Sequence, residues 1–408
     1  MTSDSRLRAS ASLRGLAVGD ALGSQFFVPD NRGHFEQRTL PPGQWQWTDD
    51  TEMACSVLHI LETHGHVDQD ALAASFATRH DFDRGYGPAA NRLLRLIRTG
   101  GDWRRLAGEL FDGQGSYGNG AAMRVAPLGA WYAADLDAVV EQARLSALVT
   151  HTHPEAVAGA VAVAVAASLV ASGDDPGDPA EFLAAVGERT PGSAVRAGIL
   201  AAAGIPGESD PRQVGRVLGN GSAVSAPDTV PITLWVAAHH RADFARAFWT
   251  MAAAGGDIDT TCAIVGGILG ARPGPDRPPA FWWEQTETLP HWIGIRSWPI
   301  TQPQQIPAPQ RVFSDEQWQR IQAGYTAQDM DEKWDLRVSD EWLYTHRSWT
   351  GYGIHAVRFT RDAHGWRISE LHVERNQDLY RGDDAYDMRL FEMIIDGHLL
   401  GLSRNDTP

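Results

Sequence analysis

The chain has 408 residues, 43% hydrophobic and 21% charged, a balance that allows a large folded core and excludes wholesale disorder or a collagen-like repeat. Its formal charge of −16 argues against electrostatically driven binding to nucleic acid or anionic membranes, while leaving a modified base open as a ligand. Two cysteines, Cys55 and Cys262, each inside an apolar helical pattern, give no material for a disulfide framework or a thiolate zinc site, and a reducing cytoplasm is the expected setting.

Residues 1–14 are polar and contain no signal-type apolar run. From Leu13 to about Ala271 the pattern is helix after helix: Met53, Val57, Leu58 and Leu61 share one face, and Leu93, Leu94, Leu96 and Ile97 mark another. The Ala/Val stretch 156–171 is expected to be a buried helix, its small side chains letting backbones approach. Residues 272–310 hold nine of the 23 prolines, so no long helix runs through them, although Trp282, Trp283, Trp292 and Trp298 suggest that part packs down on a surface. Beyond Arg311 the character changes. Residues 332–338, 341–346, 354–360 and 366–374 are short aromatic and β-branched runs between turn residues, a meander pattern, and 388–402 reads as a helix covering one sheet face. The expected organisation is an all-α domain over 1–290, a Pro-rich linker over 291–310 and a small α+β domain over 311–408.

Three polar clusters sit at expected helix starts. Thr48-Asp49-Asp50-Thr51-Glu52 precedes the apolar helix through Ile60; the plain reading is a cap, with Asp49 accepting from first-turn amides and Glu52 three residues on. Gly255-Gly256-Asp257-Ile258-Asp259-Thr260-Thr261 opens another apolar helix, and capping needs only one of its carboxylates. Brought together, the two starts would supply four carboxylates and two hydroxyls, an all-oxygen set suited to Mg²⁺ or Mn²⁺. Gly115-Ser116-Tyr117-Gly118-Asn119-Gly120 can turn several backbone N–H groups toward one anion, with a following helix start adding its dipole, and a diphosphate could sit there. A Walker-type loop, a strand-linked dinucleotide fingerprint and a serine nucleophile elbow are all absent from the sequence. His151 and His153 lack a third nitrogen or sulfur ligand nearby and read as hydrogen-bonding groups rather than a zinc site.

In combination, Gly15-Leu16-Ala17-Val18-Gly19-Asp20-Ala21-Leu22-Gly23, Trp47-Thr48-Asp49-Asp50-Thr51-Glu52-Met53, Arg84-Gly85-Tyr86-Gly87-Pro88, the loop from Gly115 to Arg124, Thr150-His151-Thr152-His153-Pro154-Glu155-Ala156 and Gly255-Gly256-Asp257-Ile258-Asp259-Thr260 occur in the order of the ADP-ribosylglycohydrolases. Over about residues 10–290 the chain resembles that family, of the dinitrogenase-reductase-activating glycohydrolase type. The resemblance implies an all-α fold with two Mg²⁺ or Mn²⁺ ions that cleaves the bond joining ADP-ribose to an acceptor. It implies Thr48, Asp49, Asp50, Asp257, Asp259 and Thr260 as metal ligands and Asp49 or Asp50 as the base that takes a proton from water. It also implies Gly115, Ser116, Gly118 and Asn119 around the diphosphate, Tyr117 on the adenine and His151 facing ADP-ribose.

Two positions depart from the family pattern. Phe27 stands where members commonly carry a Glu near the metals, and Ile258 replaces a frequent threonine inside Asp-x-Asp. Arginine-linked ADP-ribose is the lead substrate, since a guanidinium leaves with little acid help; serine, base or small-molecule conjugates stay open. The alternatives are a non-catalytic ADP-ribose-binding module, motivated by Phe27, and a metallophosphohydrolase that would release AMP.

Overall fold

The structure is a computed structural model and describes residues 3–133, 135–173, 176–272, 278–290, 292–293, 300, 302–325, 327, 332–339, 341–348, 351–377 and 379–402. The chain divides into two units, Met1–Pro290 and His291–Pro408.

The first unit is helical. The helices that build its site are α1 (Ser3–Ser24), α2 (Asp49–His64), α3 (Ala126–Trp131), α4 (Leu136–Leu148), α5 (Pro154–Ser172), α6 (Ala226–His240), α7 (Phe244–Ala253) and α8 (Ile258–Gly270). The most extensive pairing is α1 on α8, and glycines make it possible. A Cβ at Gly19 would overlap the Cys262 carbonyl, and one at Gly15 would overlap that of Gly266. Backbone-to-backbone contact therefore carries Asp20, next in sequence to Gly19, down to the start of α8.

Helix α5 lies at the centre, packed by α3, α4, α6 and α8. It is apolar on every side, which suits a helix surrounded by others. It is also the one described helix long and apolar enough to cross a membrane, and 83% of its apolar window is buried inside the unit. Pro154 in its first turn and Gly173 at its C-cap, φ 77°, set its ends. Trp282 and Trp283 do pack down: both are buried, and the Arg14 guanidinium lies 5.0 Å over the Trp283 ring. Trp298 falls outside the described residues.

The second unit is an antiparallel sheet in the order β1-β6-β5-β4-β3, with β2 also on β6. Its strands are β1 (Pro303–Ile306), β2 (Val312–Phe313), β3 (Trp334–Ser339), β4 (Trp342–Arg347), β5 (Gly353–Asp362) and β6 (Gly365–Glu374). Two helices accompany it, α9 (Asp315–Gln322) and α10 (Asp384–Ile394). Phe359 from the sheet meets Trp318 of α9, their rings 4.8 Å apart, and the His355 ring meets Phe391 of α10.

Three details differ from expectation. Residues 303–306 of the expected linker form an edge strand, where Pro303 is tolerated as the first residue; parts of 291–310 lie outside the described residues. Helix α9, started by a Ser314/Gln317 capping box, has no counterpart in the sequence reading. The closing helix begins at Asp384, capped by Asp383, and passes into a π-helical turn over Ile395–Leu400.

Candidate functional site

The first acidic cluster begins with a cap that does not use its carboxylates. Thr48 is the N-cap of α2, its hydroxyl accepting weakly from Asp50 N at 3.4 Å. The stronger acceptor at this helix start comes from elsewhere in the chain. Asp20 Oδ2 accepts from Thr48 N (2.9 Å), Thr51 N (3.1 Å) and the Thr51 hydroxyl (2.6 Å), and Oδ1 accepts from the Thr48 hydroxyl (2.8 Å). The expected cap with Asp49 and Glu52 does not form. Glu52 instead accepts from the Tyr86 hydroxyl (2.6 Å) and Asp81 N (3.2 Å). Asp49 and Asp50 are thus left free of helix-capping duty.

The second acidic cluster behaves likewise. Asp257 occupies the N-cap position of α8 but makes no side-chain cap bond. Its carboxylate accepts from the Asn119 side-chain amide at 2.7 Å. Asp259 Oδ1 accepts from Thr260 N (2.9 Å), and the Thr260 hydroxyl donates across to Asp50 Oδ2 (3.3 Å). The two helix starts therefore meet, although about 200 residues separate them. One oxygen from each of Asp20, Asp50 and Asp259 lies within 4.8 Å of the others.

The electrostatics of this meeting are severe. Burial, reinforced by the neighbouring carboxylates, pushes Asp49 up to about 8 and holds Asp50 and Asp259 well above the ordinary carboxylate range. Asp20, also buried, is raised to about 6 although four hydrogen bonds to Thr48 and Thr51 pull it down. Among the described residues no Lys, Arg or His forms an ion pair with any of these acids, and Asp50 Oδ1 is buried with no hydrogen-bond partner. A divalent cation fits this donor set: hard oxygen ligands, a buried oxygen without a hydrogen-bond partner, and a local excess of negative charge. Of the expected ligands, Asp50 and Asp259 share this point, with the Thr48 and Thr260 hydroxyls on Asp50 Oδ2, while Asp49 and Asp257 flank it as candidates to hold a cation. Asp20, which the sequence reading did not single out as a site residue, borders the same point; its position after Gly19 in a close-packed helix was the signal.

The glycine loop is tied to the acids by Asn119, whose amide bridges Asp257 and the Thr229 hydroxyl (3.1 Å). Gly115 takes φ 77°, and a Cβ there would collide with the Thr152 side chain. The Ser116 hydroxyl accepts from Gly118 N (3.3 Å), while the Tyr117 carbonyl accepts from Ala226 N (3.0 Å). The Tyr117 ring is half exposed, 5.6 Å from that of His153. His151 Nε2 comes up beneath Gly118 and Gly120, within 3.4 and 3.0 Å of where their Cβ atoms would be. His153 caps α5, its Nδ1 accepting from Glu155 N. The expected helix directly after the loop is absent. A single 3-10 turn, Asn119–Ala121, closes the loop, and α3 begins only at Ala126 with Pro127 in its first turn, so the chain that follows the loop supplies no helix start there.

Arg84 pins the segment that leads into α2. Its guanidinium lies 3.4 Å over the Trp47 ring, donates to the Trp47 carbonyl (3.0 Å) and pairs in bidentate fashion with Glu287 (2.7 and 2.8 Å). Trp45 in turn exchanges backbone hydrogen bonds with Gln285 and Glu287. Phe27, at the position where the Glu was expected, is 54% exposed at the end of the Gln25–Phe27 turn.

Comparison with known proteins bears on this arrangement. The pattern of the ADP-ribosylglycohydrolase family matches residues 1–306. The chain is 27% identical over 326 residues to ADP-ribosylhydrolase ARH3 of Homo sapiens, covering 69% of this chain and 89% of that protein. It is 32% identical over 181 residues to ADP-ribosylhydrolase ARH3 of Xenopus tropicalis, covering 41% of this chain and spanning about half, 51%, of that relative. A solved structure described as an ADP-ribosylglycohydrolase-related protein complex superimposes with a TM-score of 0.51 at 27% identity, over 70% of this chain and 94% of that one.

Proposed function

The chain belongs to the ADP-ribosylglycohydrolase family, and from that premise we propose that it hydrolyses the glycosidic bond between ADP-ribose and an acceptor with the help of divalent cations, arginine being the lead acceptor. The observation that carries the reading is the convergence of two distant helix starts on a buried set of acids with which, among the described residues, no basic side chain forms an ion pair. Mg²⁺ or Mn²⁺ held there would supply Lewis-acid orientation of the ribose hydroxyls and of a water beside the anomeric carbon.

The remaining work falls to the chain's own residues. Asp49 and Asp50 are free of capping duty, so either carboxylate, kept ionised by the cations it would help to hold, could accept the proton of the attacking water. The glycine loop, with Ser116 and Gly118 and with Asn119 anchoring it to Asp257 and Thr229, offers backbone N–H donors to a diphosphate, and the half-exposed Tyr117 ring offers a face to the adenine. The transition state has oxocarbenium character, and an arginine guanidinium leaves without a strong acid. That tolerance suits a site with Phe27 where a carboxylate would otherwise stand.

Phe27 also favours a second reading, an ADP-ribose-binding module without hydrolysis. One experiment separates the two. The protein is incubated with ADP-ribosyl-arginine and Mg²⁺, and the products are read by mass spectrometry. Free ADP-ribose and arginine support hydrolysis; intact conjugate that nevertheless raises the melting temperature supports binding alone; AMP indicates diphosphate cleavage.

A further inference from the structure

We propose that Arg124 and Thr150 are positioning residues that hold His151 as the tautomer protonated on Nε2, so that the ring offers an N–H donor to a ligand oxygen seated on the Gly118–Gly120 loop. The identity of that ligand as ADP-ribose rests on the function proposed above; the tautomer does not.

Arg124 is fully buried and meets no carboxylate among the described residues. Its guanidinium stacks 4.5 Å over the Phe76 ring, donates to the Ser146 carbonyl (2.9 Å) and donates to the Thr150 hydroxyl oxygen (3.0 Å). A guanidinium can only donate, so the Thr150 oxygen is an acceptor in that bond. Burial lowers the Arg124 pKa to about 9, which still leaves it charged at neutral pH.

Thr150 is itself buried, and among the described residues its hydroxyl has one other side-chain partner, His151 Nδ1 at 2.7 Å. A buried hydroxyl proton without an acceptor is costly. Among the described residues the one acceptor for it is Nδ1 with its lone pair free, which places the imidazole proton on Nε2. Double protonation is opposed by burial and by the Arg124 charge, which together push His151 down to about 3. The protonated nitrogen then faces the two glycines, whose missing Cβ atoms leave it room. No hydrogen-bond partner for Nε2 exists among the described residues. The order of donation is Arg124 to Thr150, Thr150 to His151, and His151 to the ligand, so a buried arginine that touches no ligand fixes the polarity of a site residue.

The test is imidazole ¹⁵N NMR on the full chain with Mg²⁺, His151 being assigned by the signal lost in His151→Gln. The expected result at pH 7 is the neutral Nε2–H form before any ligand is added, retained in Thr150→Ser. In Thr150→Val the tautomers should mix, and the Kd for ADP-ribose should rise about five- to ten-fold. An imidazolium or an Nδ1–H form in the wild type would overturn the proposal, as would Thr150→Val with the wild-type tautomer and affinity. If Thr150→Val fails to fold, the wild-type and Thr150→Ser spectra still decide the tautomer. An Nε2–H ring whose signals do not move in saturating ADP-ribose would refute the ADP-ribose reading and leave the tautomer standing; a wrong tautomer refutes the relay whatever ADP-ribose does.

Discussion

Buried carboxylates occur in both units, and the two units treat them in opposite ways. In the second unit Asp387 and Asp396 are each paired with an arginine, while Asp335 and Glu374 accept from backbone amides. Asp387 is fully buried, accepts from Arg375 at 2.6 Å and from the Tyr380 hydroxyl, and Arg375 also reaches Asp384. Asp396 pairs with Arg311 at 2.6 Å, and Glu374 accepts from the backbone amides of Gln302 and Asn376. In the first unit Asp20, Asp50 and Asp259 crowd together with hydroxyls and backbone amides around them and, among the described residues, no ion pair to a basic side chain. Acids of the first kind hold a fold together; acids of the second kind destabilise one unless something else is bound. The contrast shows where structure ends and function begins in this chain.

The comparison can be broken most directly by exchanging charge. Asp50→Asn and Asp259→Asn should abolish release of ADP-ribose from ADP-ribosyl-arginine and remove any rise in melting temperature on adding Mg²⁺, while the metal-free protein melts at or above the wild-type temperature because a repelling charge is gone. Retained hydrolysis with either substitution would put the acids outside the reaction. Asp387→Ala should do the reverse: it leaves Arg375 with a lost buried partner and lowers stability by about 3–5 kcal/mol, yet the Mg²⁺-induced rise should persist. A Mg²⁺ response lost in Asp387→Ala and kept in Asp50→Asn would invert the account.

A smaller effect is expected at Arg84, whose pair with Glu287 belongs to the structural kind although it lies in the first unit. Arg84→Ala should cost about 1.5–3 kcal/mol from the charged hydrogen bonds it loses. It should also weaken Mg²⁺ binding, since the Trp47–Asp50 segment loses its tether; a double-mutant cycle with Glu287→Gln measures the coupling. Least of all, Tyr117→Ala should weaken ADP-ribose binding by about 1 kcal/mol, read by calorimetry, if the ring stacks on the base. Unchanged affinity would move the adenine elsewhere.

Much of this was legible before the structure. The two Asp/Thr helix starts and the glycine loop were visible because special chemistry at a helix start leaves a local signature of a few adjacent residues. The meander runs of 332–374 were visible for a similar reason, as each strand shows its alternation within itself. What was missed depends on partners far away in sequence. Asp20 caps α2 from another helix, and only the contact of α1 with α8 brings it there. Arg124 and Thr150 act through a hydrogen-bond chain spanning 26 residues. Glu52 read as half of a capping box and instead binds Tyr86, because Asp20 had already satisfied that helix start. The strand at Pro303–Ile306 was hidden by Pro303 and by Pro307 and Pro309 just beyond it, since a proline marks an edge strand as readily as a linker.

The central claim, that the uncompensated acids of the first unit are a divalent-cation centre, is tested most directly by isothermal calorimetry of Mg²⁺ or Mn²⁺ into the EDTA-stripped, dialysed protein. Saturable binding that is lost in Asp50→Asn and unchanged in Tyr117→Ala is expected. Identical isotherms for the wild type and Asp50→Asn, or no binding by either, would contradict it.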